Sequence, residues 1–126
     1  MGNLFESVHL DHIVLKAKDA KLLSKFYQTV LGCRVERTLP EGLIQLRLGS
    51  ILIDIIPGNE GPTGREYANM HHFCLKVFPF NEEKILQHLD FHNVDHGEVQ
   101  NLYGAGGFGP SIYLSDIEGN IVELKG

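Results

Sequence analysis

The feature that most restricts how this chain can fold is a repeat. The stretches "LDHIVLKA" and "MHHFCLKV" align so that His12, Leu15 and Lys16 fall on His72, Leu75 and Lys76, sixty residues further along. Each alternates between two side-chain sets, the period of a strand with one buried face. A chain of 126 residues is one domain's worth, so a repeat on this scale reads as two modules of one fold.

The segments after each of these strands repeat as well. Asp19 is placed to cap a helix over 20–31, where Leu22, Leu23, Phe26, Tyr27, Val30 and Leu31 form a broad apolar stripe and Gly32 supplies the stop. Segments 33–39, 43–49 and 50–56 read as strands, with turns at Pro40-Glu41-Gly42 and Gly49-Ser50. The second half opens with a strand at 72–77. Asn81, Glu82 and Glu83 then start a helix that turns Ile85, Leu86 and Leu89 inward. Strands are predicted at 94–100, 111–116 and 120–125. "YGAGGFGPS" (103–111) reads as a flexible lid, a backbone that approaches substrate closely, or a surface loop, and "PGNEGPTGREYANM" (57–70) as a linker. The expected class is α+β: tandem βαβββ modules, 8–56 and 71–126, whose curled half-sheets surround a cleft within a single domain spanning 1–126.

Composition excludes several partners. Net charge is −5 without a Lys/Arg cluster, which argues against nucleic acid. There is no apolar run long enough for a membrane span and no export pattern, so the expected setting is cytoplasmic. Gly2 is followed by Glu6 where a myristoylation motif carries Ser or Thr. Cys33 and Cys74 are too few for a disulfide framework, suit a reducing compartment and read as core fillers.

Strand alternation places Ile13, Leu15, Phe73 and Leu75 beneath the helices, and His12 and His72 on the cleft face, with His71 directed to the other side. The repeat also lays 52–56 over 122–125, which sets Asp54 opposite Glu123. An ionised carboxylate in an apolar strand is costly unless paired or bound. Two histidines and two carboxylates, one of each per half, form a candidate divalent-metal site for zinc, nickel, manganese, cobalt or iron. The plainer alternatives are histidines satisfied by backbone carbonyls, a Glu123 ion pair with Lys16 or Lys76, and Asp54 as a rim carboxylate. His88, His92 and His96 are spaced by four, but Asn93 and Gly97 end the helix before His96. Ser111 and Tyr113 share a strand face and are candidate substrate contacts. Arg47, with Arg34 and Arg65, is a candidate clamp for an anionic substrate.

Taken together, "LDHIVLKAKD", "FYQTVLG", "HHFCLKV" and "IYLSDIEGNIVEL" resemble the opening strand, first helix, fifth strand and final hairpin of the vicinal oxygen chelate superfamily. That group includes glyoxalases, fosfomycin-resistance thiol transferases, extradiol dioxygenases and bleomycin-binding proteins. The resemblance implies that His12, His72 and Glu123 occupy the three commonest ligand positions. Asp54 falls where glyoxalases carry a glutamate that is both ligand and base, and is one methylene shorter. It further implies a metal-dependent, glyoxalase-like lyase or isomerase, with Glu123 and Asp54 catalytic. Its small substrate would be chelated through adjacent oxygens and react by a metal-stabilised enediolate. A homodimer is implied as well. Tyr113 corresponds to a substrate-facing tyrosine of the fosfomycin-resistance branch, whereas Val14 stands where that branch carries Thr. The alternatives are a metal-free drug-binding protein and a ring-cleaving extradiol dioxygenase.

Overall fold

In the computed structural model, which describes residues 4, 6–61, 65 and 68–126, the chain divides into two units, Met1–Asn59 and Glu60–Gly126. The first contains β1 (His12–Ala17), α1 (Ala20–Leu31), β2 (Arg34–Thr38), β3 (Ile44–Leu48) and β4 (Ile51–Pro57). Its sheet has the order β1-β4-β3-β2. β1 runs parallel to β4, and the other pairs are antiparallel. A parallel pair needs a crossover, and α1 lies within the connection that supplies it.

Local chemistry sets the ends of α1. The Asp19 carboxylate accepts from the Leu22 amide at 3.0 Å, and Gly32 adopts a left-handed φ of 75° at the C-terminus. Leu23, Phe26, Tyr27 and Val30 are buried, at the i, i+3, i+4, i+7 spacing of one helical face. They pack over Leu15, Ala17, Ile44, Leu46, Ile53 and Ile55 of the sheet. The stripe is narrower than its polarity suggests. Leu22 is 55% exposed, because it lies one helical step outside that face.

The second unit repeats the plan strand for strand. It comprises β5 (Phe73–Lys76), α2 (Glu82–Phe91), β6 (Gln100–Gly104), β7 (Gly107–Ser115) and β8 (Ile121–Lys125), with sheet order β5-β8-β7-β6. β5 is parallel to β8, and the remaining pairs are antiparallel. Asn81 caps α2 through the Lys84 amide at 3.0 Å. Leu89 is buried, as are Val94, Ile112, Leu114, Val122 and Leu124. Ile85 and Leu86 are half-buried. The turn before β8 is held by Asp116, whose Oδ1 accepts from the Glu118 and Asn120 amides at 2.8 and 2.9 Å.

The glycine-rich segment 103–111 is not a lid or a loop. It forms most of a hairpin in which Gly104 pairs with Gly107 across the Ala105–Gly106 turn, and Gly107 takes a φ of 97°. Glycine lowers strand propensity, so composition conceals a strand that the ladder enforces. Conversely, segment 94–100 contributes a single bridge, His96 with Leu114, before β6 begins at Gln100. Residues 62–64, 66 and 67 of the expected linker lie outside the described residues, as does Gly2. Among the described residues no helix is long and apolar enough to cross a membrane.

Candidate metal centre

The first sheet carries one face against α1, and in each unit polar residues gather on one sheet face. In the first unit, Asp54 on β4 pairs with Val14 of β1 and Gln45 of β3. Paired residues share a face, so Asp54 lies on the side that carries His12. Asp54 is only 7% exposed. Its Oδ2 accepts from Gln45 Nε2 at 3.1 Å, and Gln45 Oε1 in turn accepts from Arg37 Nε at 2.6 Å. Among the described residues its Oδ1 is buried without a hydrogen-bond partner.

His12 is tethered through one nitrogen. Nδ1 lies 2.7 Å from Asp11 Oδ2, and this bond raises the imidazole pKa, with the Asp54 charge adding to it. Nε2 is left as the nitrogen that could ligate a metal. A histidine whose other nitrogen is held by a carboxylate is a usual arrangement at metal ligands, since it fixes the tautomer and the ring. Arg47 is engaged rather than poised. Glu36, the extra residue at a β-bulge between Val35 and Arg37, accepts from it at 3.0 and 3.4 Å. That pairing also lowers the Glu36 pKa. The Arg65 guanidinium donates to the His71 carbonyl.

In the second unit, Glu123 on β8 pairs with Cys74 on one side and Tyr113 on the other. His72 Nε2 lies 3.2 Å from Glu123 Oε1, and the Glu123 side chain is 8% exposed. The Tyr113 ring meets His72 edge-on at a centroid distance of 5.1 Å. Burial raises the Tyr113 pKa, and the Glu123 carboxylate within hydrogen-bonding reach adds to it. Ser111 is fully buried, and its Oγ has no hydrogen-bond partner among the described residues. Among the described residues Glu123 has no lysine ion pair; the basic side chain beside it is His72, through Nε2.

Two expectations are corrected by this geometry. His71 does not point away from His72, because both precede β5 and strand alternation does not govern them. Their Nδ1 atoms lie 2.9 Å apart, so one donates to the other. Cys74 is exposed and is not a core filler; its register places it beside Glu123. Burial of its sulfur, then the Glu123 charge, pushes the thiol up to about 11. Cys33 is buried as expected.

The donor chemistry fits a divalent ion. Nitrogen and oxygen ligands held about 2.1 Å from one ion at angles between about 90° and 110° stand about 3.0–3.4 Å apart, and His72 Nε2 with Glu123 Oε1 is at such a separation. The orphaned Asp54 Oδ1 is a buried anionic oxygen that still needs a partner. Each unit by itself offers one histidine and one carboxylate, and the described residues contain no group of three or more metal-capable side chains.

The repeat extends one layer beyond what residue types reveal. Gln45 bonds Asp54 from the adjacent antiparallel strand, and Tyr113 stands in the same relation to Glu123. Asp11 and Gln45 are not among the residues that sequence reasoning selects. The first is signalled by its adjacency to His12, and the second by its period-two spacing from Arg47. The alternative histidine cluster does not form. α2 ends at Phe91, His88 and His92 meet edge-on, and His96 lies beyond, bound to Asp90 and the Gly97 carbonyl.

No family model matches the sequence. No curated protein matches it either. Solved structures do. An integron cassette protein from the mobile metagenome of V. cholerae is 26% identical, with 98% of each chain covered and a TM-score of 0.78. The fosfomycin resistance protein FosX of Listeria monocytogenes is 19% identical over 94% of this chain and 93% of its own, at a TM-score of 0.74. Lactoylglutathione lyase of Agrobacterium tumefaciens is 18% identical over 96% and 95%, at 0.70.

Proposed function

We propose, for a chain with the glyoxalase-like fold of the vicinal oxygen chelate superfamily, that it is a divalent-metal-dependent enzyme of the lyase or isomerase type. His12 and Asp54 from the first unit, and His72 and Glu123 from the second, are the proposed donors. The observation that carries the reading is Asp54 Oδ1, a buried carboxylate oxygen with no partner, at the position that the repeat matches to Glu123. A bound ion would supply Lewis-acid stabilisation of negative charge developing on adjacent substrate oxygens, worth several kcal/mol.

The chain's own residues handle the proton. Glu123 is the proposed base: its carboxylate takes a proton from the hydroxyl-bearing carbon beside a substrate carbonyl and returns it to the former carbonyl carbon, while the hydroxyl proton passes to the other oxygen, so that carbonyl and hydroxyl exchange places without net loss. Asp54 is the second acid. Tyr113, within hydrogen-bonding reach of Glu123, orients that carboxylate. The neighbours' names support this reading, one being a lactoylglutathione lyase and another a fosfomycin resistance protein. The two free thiols fit a cytoplasmic setting. We propose a homodimer as well, since all five residues of edge strand β2 are exposed.

The test is the metal content of untagged protein purified without added metal, measured by elemental mass spectrometry beside His72→Ala. About one divalent ion per chain, lost in the variant, is the expected result, and its identity separates isomerase-type ions from the iron of a dioxygenase. No metal in the wild type, before or after soaking, overturns the reading in favour of a small-molecule-binding protein.

A further inference from the structure

Beyond the proposed metal donors, the polar face of the second sheet holds a mostly buried lysine side chain with no ion pair among the described residues. Lys125 lies two residues along β8 from Glu123, on the same face, and is 5% exposed. Its Cα partners are Lys76 on β5 and Ser111 on β7. Like charges opposite one another across a ladder are unfavourable. Among the described residues no carboxylate ion-pairs with either ammonium, in a chain of net charge −5. Ser111 adds a fully buried hydroxyl, also unpartnered.

The glycines of the β6–β7 hairpin make room for both lysine side chains. A Cβ at Gly104 would come within 2.8 Å of Lys125 Cε. One at Gly109 would come within 2.8 Å of Lys125 Nζ and 2.6 Å of the Gly126 carbonyl oxygen. One at Gly106 would lie 3.0 Å from Lys76 Nζ. The absence of side chains at these positions makes the floor along which both lysines lie. With Lys76 and the unsatisfied Ser111 hydroxyl at the flanking register positions, the Lys125 amine is placed as a receptor for an oxyanion.

We propose that Lys125, Lys76 and Ser111 bind the anionic end of the ligand, a carboxylate or phosphate group, over the floor of Gly104, Gly106 and Gly109. Two residues of a strand span about 6.6 Å, which separates the anion position from Glu123 by that distance along β8. The substrate class is therefore a small anionic compound whose charged group lies a few bonds from its chelating oxygens. That spacing rests on the metal reading, whereas binding of the anion does not.

Amide NMR of the 15N-labelled full chain, stripped of metal with chelator, tests it directly. Sodium phosphate and sodium acetate are titrated separately at ionic strength held constant with sodium chloride. Saturable shifts centred on the Gly104, Gly106, Gly109 and Ser111 amides are expected. Lys125→Met should weaken the binding by at least about tenfold, as loss of a charge-assisted hydrogen bond implies. Saturation by phosphate alone assigns a phosphoryl-type group, and saturation by acetate a carboxylate. The exposed Lys76→Met serves the same criterion if Lys125→Met does not fold. No saturation by either anion, or unchanged binding in the folded lysine variants, overturns the proposal. The titration is repeated in His72→Ala. Retained anion binding there, together with a failed metal analysis, would sink the metal centre and leave this site standing; the converse sinks this site alone.

Discussion

Gln45 Nε2 donates to Asp54 Oδ2 at 3.1 Å, the hydrogen bond the structure gives to a carboxylate that is 7% exposed and whose other oxygen is orphaned. Gln45 is itself held by Arg37 at 2.6 Å, so three strands cooperate to position one acid. A hydrogen bond to a carboxylate contributes more than one between neutral groups, and removing the donor leaves a buried anion with no other donor shown among the described residues.

Gln45→Ala should therefore destabilise the metal-free protein by about 1–3 kcal/mol, measured by urea unfolding. Adding a divalent ion that binds the folded state should recover part of that loss by linkage. A change within about 0.5 kcal/mol, typical of an ordinary surface substitution, would mean that Asp54 does not depend on Gln45.

Cys74 is exposed, yet its thiol is pushed up to about 11 by burial of the sulfur and by Glu123. At pH 8 little of it is thiolate. Its alkylation should run roughly 10–100-fold slower than that of a free thiol of pKa about 8.5, after allowing for the higher nucleophilicity of a more basic sulfur. Glu123→Gln removes one of the two causes and should speed labelling. Labelling at the free-thiol rate in the wild type would contradict the arrangement.

Most of the topology is legible in the sequence because the halves copy one another, and a register read in one half constrains the other. His12, His72, Asp54 and Glu123 stand out because they interrupt apolar strands at matched positions. The features that are not legible differ in physical kind. Polarity alone makes Leu22 part of the buried stripe, although its angle on α1 leaves it outside. Glycine content hides the β6–β7 hairpin, since its ladder uses backbone groups that composition does not report. Alternation misdirects His71 because the strand period holds only from the start of β5. The bond from Gln45 to Asp54 depends on side-chain reach across strands, which no spacing within one strand encodes.

Both helices begin on a side-chain oxygen that accepts from an amide three residues on, Asp19 in α1 and Asn81 in α2. Asp19→Ala and Asn81→Ala should each lower stability by about 1 kcal/mol. The two sites lie in separate units, so the double variant should be close to additive. Chemical denaturation of the three variants checks both statements, and a clear excess over the sum would reveal coupling that the separate caps do not explain.

His96 has an acceptor at each ring nitrogen, the Gly97 carbonyl at 2.7 Å from Nδ1 and Asp90 Oδ1 at 2.7 Å from Nε2. Only the imidazolium can donate to both. The Gly97 carbonyl first, then Asp90, raises its pKa above 6.5, with the Asp95 charge adding to the effect. Because the folded-state value exceeds the unfolded one, this stabilisation is fully present below about pH 6.5 and is lost as the pH rises through the folded pKa. The difference in unfolding free energy between wild type and His96→Gln should therefore be largest in mildly acidic solution and shrink toward pH 8. Asp90→Asn should keep the sign and reduce the slope, since the carbonyl acceptor remains. A difference that stays flat across this range, or grows with pH, would show that His96 is neutral in the folded protein.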